Sequence, residues 1–127
     1  MKQAEVTGII LDQLRNKVPQ IPWSARLTGA DRGRTVMGTV TCDRVAFFYD
    51  TKDDLVAKAE YKIYILDANS TENVDELAEV VFAALNNDDL GGALIVGDIT
   101  DIVYGSSQGK PNSGIAALTY VIEYYKE

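Results

Sequence analysis

The sequence predicts an α+β domain, spanning residues 1–127, in which two helices pack on one face of a mainly antiparallel or mixed β-sheet. Two stretches repeat apolar residues at helical spacing, and four others are rich in Val, Ile, Thr and Tyr, which favour strands. The length and an apolar content of 46% suit one domain with a hydrophobic core. The helical stretches are residues 3–17 and 71–86, and the strand stretches are residues 35–49, 55–66, 93–104 and 115–125.

The first predicted helix carries Val6, Ile10 and Leu14 on one face and polar residues on the other, which is the pattern of a helix packed on a core. Pro19 ends this helix, because proline has no amide hydrogen to donate and clashes with the preceding turn. Trp23 follows a few residues later. We expect its large ring to cover one end of the core.

Residues 35–49 alternate loosely between apolar and polar, and they are predicted to form one strand or a hairpin that turns near Asp43 and Arg44. Residues 50–54 include three aspartates and are predicted to form a turn, where aspartate side chains bond to the local backbone. The strand pattern resumes over residues 55–66. Its alternation directs Tyr61, Ile63 and Ile65 toward the core.

The second predicted helix begins at Ser70 or Thr71, either of which can accept a hydrogen bond from an unpaired amide of the first turn. Glu72 lies in that turn, where the helix dipole favours an anion. The helix is predicted to end near Asn86. Its buried stripe comprises Val74, Leu77, Ala78, Val81, Ala84 and Leu85.

The last third of the chain contains two predicted strands, residues 93–104 and 115–125, joined by a polar connector over residues 105–114. We expect a long hairpin loop at this connector. In the second strand, the odd-numbered face mixes Thr and Glu with Ile and Val, so it is either half-exposed or covered by another element. The core-facing residues are Ala116, Leu118, Tyr120, Ile122 and Tyr124.

Charge is unevenly distributed along the chain. Residues 1–66 carry ten Lys or Arg and eight Asp or Glu, a net charge of +2, whereas residues 67–127 carry two and eleven, a net charge of −9. So acidic a surface excludes a conventional nucleic-acid reader, because it repels phosphates. It serves solubility, or it forms a surface that nucleic acid must pass without binding. Arg26, Arg32 and Arg34 are either solvated or meet the acidic half of a neighbouring copy.

No constellation for bond chemistry is present in the sequence. The chain has no histidine, which removes the most common general base and metal ligand. Cys42 is the only cysteine, so an internal disulfide is excluded. Asp98 and Asp101 would point to opposite faces of a regular strand, and they could share an ion only if the strand were bulged. We therefore expect no enzymatic activity, no metal and no cofactor.

Residues 105–110 approach the spacing of a phosphate-binding loop but fall one residue short between the glycines, and Pro111 occupies the position of the metal-binding Ser or Thr. The first five residues lack the apolar run of a signal peptide, and no stretch is apolar for 18 residues, so we expect a cytoplasmic protein. Four tyrosines in the last two strands favour contacts with other proteins.

Several stretches resemble the tail terminator proteins of long-tailed bacteriophages, the phage-lambda-like family. The resemblance covers residues 1–18 and 59–127, and residues 24–58 depart from the family pattern. Its most specific part is residues 118–122 in the closing strand. The stretches that carry it are residues 9–14, 61–66, 74–77 and 114–125.

The resemblance implies a structural protein of the virion, made in the host cytoplasm, that forms a hexameric ring in the neck. Such a ring ends the growing tail tube, stops its polymerisation and provides the head-to-tail joining surface. The implied partners are further copies of the chain, the tail tube protein and a head-completion or connector protein, and genomic DNA passes through the bore. As contact residues for the neighbouring subunit or the tube we predict Arg26, Arg32, Arg34, Asp53, Asp54, Tyr104, Gln108, Lys110 and Tyr124.

Two other hypotheses remain open at the level of sequence. Another neck protein, such as a head-completion or connector adaptor, would share a small α+β fold and ring symmetry. A small-ligand-binding module or an enzyme would need a pocket, and the space under Trp23 is the place where the sequence allows one.

Overall fold

The computed structural model describes residues 1–25, 36–107 and 110–126, and they fold into a five-stranded mixed sheet with two helices, which confirms the predicted α+β class. The helices are α1 (Gln3–Lys17) and α2 (Thr71–Leu85). The strands are β1 (Trp23–Ser24), β2 (Val36–Tyr49), β3 (Leu55–Asp67), β4 (Val96–Ser107) and β5 (Lys110–Tyr125).

The strand order in the sheet is β1-β2-β3-β5-β4. The short strand β1 pairs in parallel with β2, and the other neighbours are antiparallel. Because β5 inserts between β3 and β4, the first half of the chain forms one side of the sheet and the second half forms the other. The described residues of 1–66, which carry seven Lys or Arg and seven Asp or Glu, therefore lie on the β2 side, and the strongly acidic residues 67–126 lie on the β4 side.

Both helices pack on the same face of the sheet, and the core lies between them and the strands. Helix α1 inserts Val6, Ile10 and Leu14, which are fully buried. The predicted core face of β5 is confirmed from Ala116 to Tyr124, where every second side chain is at most 1% exposed. The indole Nε1 of Trp23 donates to the Val18 carbonyl at 3.0 Å, so the ring closes one end of this core as expected.

Ser70, one of the two predicted caps, begins α2. Its Oγ accepts a hydrogen bond from the Asn73 amide at 3.0 Å. The buried Asp67 side chain supports this start, because it accepts from the Asn73 side-chain amide at 2.8 Å and from the Asn69 backbone amide at 2.9 Å. The end of β3 and the first turn of α2 are thus joined by one polar cluster.

Residues 36–49 form a single strand, so the alternative of a hairpin near Asp43 does not occur. Instead the register shifts between Cys42 and Arg44, which is a β-bulge with Asp43 as the extra residue. The polar pair disturbs the pairing locally, but the apolar residues on either side continue the same ladder against β3.

The predicted ten-residue loop over residues 105–114 is wrong. The two strands remain paired past this region, with Gly105 opposite Ile115 and Ser107 opposite Lys110. Polar side chains do not prevent pairing, because the ladder is made by backbone groups. The polar composition of this stretch therefore did not indicate a loop.

The strands are much longer than the helices. A strand rises about 3.3 Å per residue and a helix about 1.5 Å, so the 16 residues of β5 span roughly 50 Å and the 15 residues of α2 about 22 Å. The helical layer therefore covers only the middle of the sheet, and both ends project beyond it. Within the described ranges, no helix is long and apolar enough to cross a membrane.

Candidate interaction surfaces

The predicted contact residues lie in different parts of the molecule. Arg26, Arg32, Arg34 and Gln108 fall outside the described residues. Asp53 and Asp54 are exposed in the turn between β2 and β3, whereas Tyr104 is 47% exposed near the far end of β4, and Lys110 begins β5.

The described ones among them do not form one site. Asp54 precedes Leu55 at one end of β3, and Tyr104 is level with Ile65 near the other end, since both pair with Ala116. Ten residues of strand separate the two levels, which corresponds to about 33 Å. The sheet therefore has two separate candidate surfaces, one at each end.

Tyr124 requires a correction, because its side chain is only 1% exposed and lies in the core. It pairs with Ala57 on the face that the helices cover. The next residue, Tyr125, points to the opposite face and is 48% exposed. The alternation of the strand thus leaves Tyr125, and not Tyr124, exposed at this end of β5.

An aromatic cluster surrounds the β2–β3 turn and was not predicted. Phe47 is 56% exposed and Tyr49 is 69% exposed, although both are large aromatic residues. Phe48 and Tyr125 flank the buried Val56 on the face without helices. We name this surface, formed by Phe47, Phe48, Tyr49 and Tyr125, the aromatic hairpin. The sequence signal for this cluster is the run of three aromatic residues directly before a polar turn. A strand that projects beyond the helices cannot bury both of its faces, so some of these aromatic side chains must be exposed.

The turn that ends the aromatic hairpin is held in one conformation. The Asp50 carboxylate oxygen Oδ1 accepts the amides of Lys52 and Asp54, each at 2.9 Å, and the Asp50 amide donates to the Asp54 carbonyl at 2.9 Å. Asp53 adopts a positive φ of 62°, which aspartate tolerates in turns. This geometry presents the Asp53 and Asp54 side chains to solvent.

The sheet face opposite the helices, which we call the open face, carries charge in its middle rows. Lys58 pairs with Glu123, and Lys62 Nζ donates to the Thr119 hydroxyl. A register shift between Ile99 and Asp101 puts Asp98 and Asp101 on this same face, so the strand is bulged as the shared-ion hypothesis required. Nevertheless, the described part of the chain contains no group of three or more His, Cys, Asp or Glu side chains placed to hold a metal ion.

The outer edge of β4 is covered over only part of its length. The Asn86 side chain accepts the Ile99 amide at 2.9 Å, and the Asn87 amide donates to the Gly97 carbonyl at 2.8 Å. Farther along, Val103 is 61% exposed, and no other described residue covers the edge. We name residues 101–106 the open β4 edge.

Acidic residues of α2 lie beside this edge. Partial burial raises the pKa of Tyr104, and the carboxylates of Glu79 and Asp75 raise it further. The open β4 edge therefore combines exposed apolar side chains with negative charge from α2 and from Asp101.

An open groove of about 750 Å³ runs along the opposite side of the sheet, between α1 and β2. This groove is not the pocket that the sequence allowed under Trp23. The indole ring lies directly on Gly38, so it fills the space where that pocket would be. Among its lining residues are Thr7, Gly8 and Leu11 of α1, Val40, Cys42 and Val45 of β2, and Arg44 at the bulge.

Comparison with known proteins finds no family model that matches the chain and no curated protein that matches it. The fold, however, is similar to that of a chain in the solved structure of the virion of a native gene transfer agent particle. The TM-score is 0.74 at 15% sequence identity, and the similarity covers 94% of each chain. The chain therefore shares its fold with a chain of that virion.

Proposed function

We propose that this protein is a structural component of a phage-like virion and acts as a tail terminator. It forms a hexameric ring on the end of the tail tube, stops tube polymerisation and provides the surface that joins the head. Its work is assembly, in the host cytoplasm and then in the neck of the virion, and it needs no cofactor.

The observation that carries the proposal is the similarity in fold to a virion chain over 94% of both chains. The sequence resemblance to tail terminators in the first helix, in β3 and in the closing strand supports the narrower role. The two lines of support are of different kinds. The first is a similarity in backbone fold at 15% sequence identity, and the second is a resemblance between short stretches of sequence.

The distribution of charge supports a ring of identical subunits. A ring requires a heterologous contact, in which two different surfaces of the same chain meet and the rotation closes. The two sides of the sheet provide such surfaces, since one comes from residues 1–66, whose described part is neutral, and the other comes from the strongly acidic residues 67–127. Arg26, Arg32 and Arg34 belong to the first of these halves.

The acidic half also suits a conduit for the genome. A wall rich in carboxylates does not retain phosphates, so DNA passes without sequence-specific binding. The aromatic hairpin suits contact with the tail tube protein, because exposed aromatic residues are enriched in the cores of protein interfaces. Asp53 and Asp54 would lie at the rim of that contact, and the head-completion or connector protein would bind the opposite side of the ring.

Addition of the purified protein to polymerising tail tubes tests the proposal. A terminator should bind one end of each tube and shorten the tubes, and electron micrographs should show six-fold rings there. Tubes that grow to full length with no ring at their ends would contradict the role. If the protein instead bound only portal–connector complexes, the neck-adaptor hypothesis would replace it.

A further inference from the structure

We infer that the open β4 edge of one copy binds the groove between α1 and β2 of a second copy of this chain. The inference deepens the proposed ring and rests on it for the number of subunits, but the contact itself is argued from the two surfaces. Each includes a stretch of outer strand edge with which no other described residue pairs.

The open β4 edge is built to pair. An edge strand presents a row of backbone donors and acceptors, and proteins commonly cover such edges or blunt them with charge. Here Asn86 and Asn87 cover the first part, and the part that follows is left with the exposed side chains of Val103 and Tyr104. Extended segments add to such an edge by backbone hydrogen bonds, with alternate side chains entering pockets.

The groove lies beside a part of the β2 edge with which no described residue pairs. Strand β1 covers β2 only at Gly38 and Thr39, and no described residue pairs with the outer edge of β2 beyond them. Beside this edge, the groove of about 750 Å³ has a mixed lining, in which small and apolar residues such as Gly8 and Leu11 stand beside polar ones such as Thr7. A tyrosine side chain on the helix face of an added strand would enter it.

Strand direction and face are both compatible with this contact. Strand β4 runs opposite to β2, because three antiparallel pairings connect them, so a second copy in the same orientation presents β2 antiparallel to β4. Tyr104 pairs with Ala116 on the helix face, which is also the face on which the groove opens. The open β4 edge faces the unpaired part of β2 when the second copy is shifted along the strand direction. Strands in closed sheets are staggered in the same way.

Charge disfavours the symmetric alternative of two β4 edges paired with each other. That arrangement would bring together Asp101, Asp75 and Glu79 of both copies, and like charges repel. Pairing with the β2 side instead brings these carboxylates toward a groove whose charged lining residues are Asp43 and Arg44, so that its own charges balance. The contact is therefore heterologous, as a ring requires.

The single cysteine permits a direct test by oxidative cross-linking of the full chain. Cys42 lines the groove, and a second cysteine is introduced as Tyr104→Cys or, to keep the tyrosine, as Ser106→Cys. Within one subunit β3 and β5 separate β2 from β4, which amounts to at least about 14 Å, whereas a disulfide needs Cα atoms within about 7 Å. Any product must therefore join two copies.

We expect a ladder of covalent oligomers on non-reducing gels from either variant, and its loss when Cys42→Ser is added. Ala83→Cys, on the exposed surface of α2, is the matched control and should give no ladder. Separately, Val103→Lys should weaken self-association roughly tenfold or more without unfolding the chain.

The inference would be overturned by oligomers that give no cross-link with either cysteine, or by a chain that stays monomeric at its highest soluble concentration. The experiments also distinguish failure of this contact from failure of the terminator role. If only the terminator role is wrong, the cross-linked ladder still forms but the protein does not bind tail tubes.

Discussion

The indole ring of Trp23 lies directly on Gly38, so closely that a Cβ atom at position 38 would stand 2.5 Å from the ring carbon Cζ3. The two residues are also paired in the β1–β2 ladder. Trp23 itself is fixed by its bond to the Val18 carbonyl, so the ring cannot move aside without losing a buried hydrogen bond.

Gly38→Ala should consequently destabilise the protein by about 1–3 kcal/mol, the usual cost of overpacking a core. Gly8→Ala is the matched control. It lies in α1 with nothing within 4 Å of its added Cβ, so it should stabilise the helix by roughly 0.5–1 kcal/mol. Urea unfolding of the three proteins measures both effects. Equal stability of the Gly38→Ala variant and the parent would show that the indole ring has room to shift.

The cap of α2 gives a second prediction. Ser70→Ala removes the acceptor of the Asn73 amide and should cost about 1 kcal/mol in the free energy of unfolding. Thr71→Ala, one residue later and exposed, is the control that separates a cap from a general preference for hydroxyl residues, and it should cost nothing. Thermal unfolding measures the difference. A larger loss from Thr71→Ala than from Ser70→Ala would contradict the assigned helix start.

Two buried tyrosines should respond in opposite ways to the loss of their hydroxyl groups. The Tyr61 hydroxyl lies 2.7 Å from that of Thr7 and accepts from the Gln3 side chain at 3.3 Å, so Tyr61→Phe should cost about 1 kcal/mol. The buried Tyr120 hydroxyl has no hydrogen-bond partner among the described residues, so Tyr120→Phe should be neutral or stabilise by up to about 1 kcal/mol. Denaturant unfolding at pH 7 checks both signs.

The same residues predict how stability depends on pH. Burial raises the pKa of Tyr61, Tyr120 and Tyr124 above the ordinary value for tyrosine. Above about pH 10 the unfolded chain therefore loses protons that the folded chain retains, and the free energy of unfolding falls as the pH rises. Tyr120→Phe should reduce this slope by up to about 1.4 kcal/mol per pH unit. An unchanged slope between pH 10 and 11 would show that Tyr120 ionises in the folded protein.

The aromatic hairpin should matter for partner binding and not for folding. Phe47→Ser combined with Tyr49→Ser removes two side chains that are 56% and 69% exposed, so stability should change little. If this surface meets the tail tube, the variant should keep the mass of the parent oligomer but fail to sediment with purified tubes. Tyr64→Ser, an exposed aromatic in the middle of the open face, is the control and should bind normally. Normal sedimentation of the double variant would remove the hairpin from the contact.

The sequence by itself determined the two helices, four of the five strands and most of their buried faces, but not the short strand β1. Apolar spacing placed α1 and α2, and alternation in the closing strand identified Ala116 to Tyr124 as core. The cap at Ser70 followed from its hydroxyl and its position before an amphipathic stretch. Each of these depends on neighbours within a few residues, which is the range over which helical and strand periods act.

The tertiary structure alone decided which of these surfaces remain exposed and where they lie. Pairing of β5 between β3 and β4 moved Asp53 and Tyr104 to opposite ends of the sheet, and it separated the acidic half of the chain from the other half. Strands longer than the helices left the aromatic hairpin uncovered and continued the last hairpin through a polar stretch. Strand order and relative length are properties of residues far apart in the chain, so a local pattern cannot determine them.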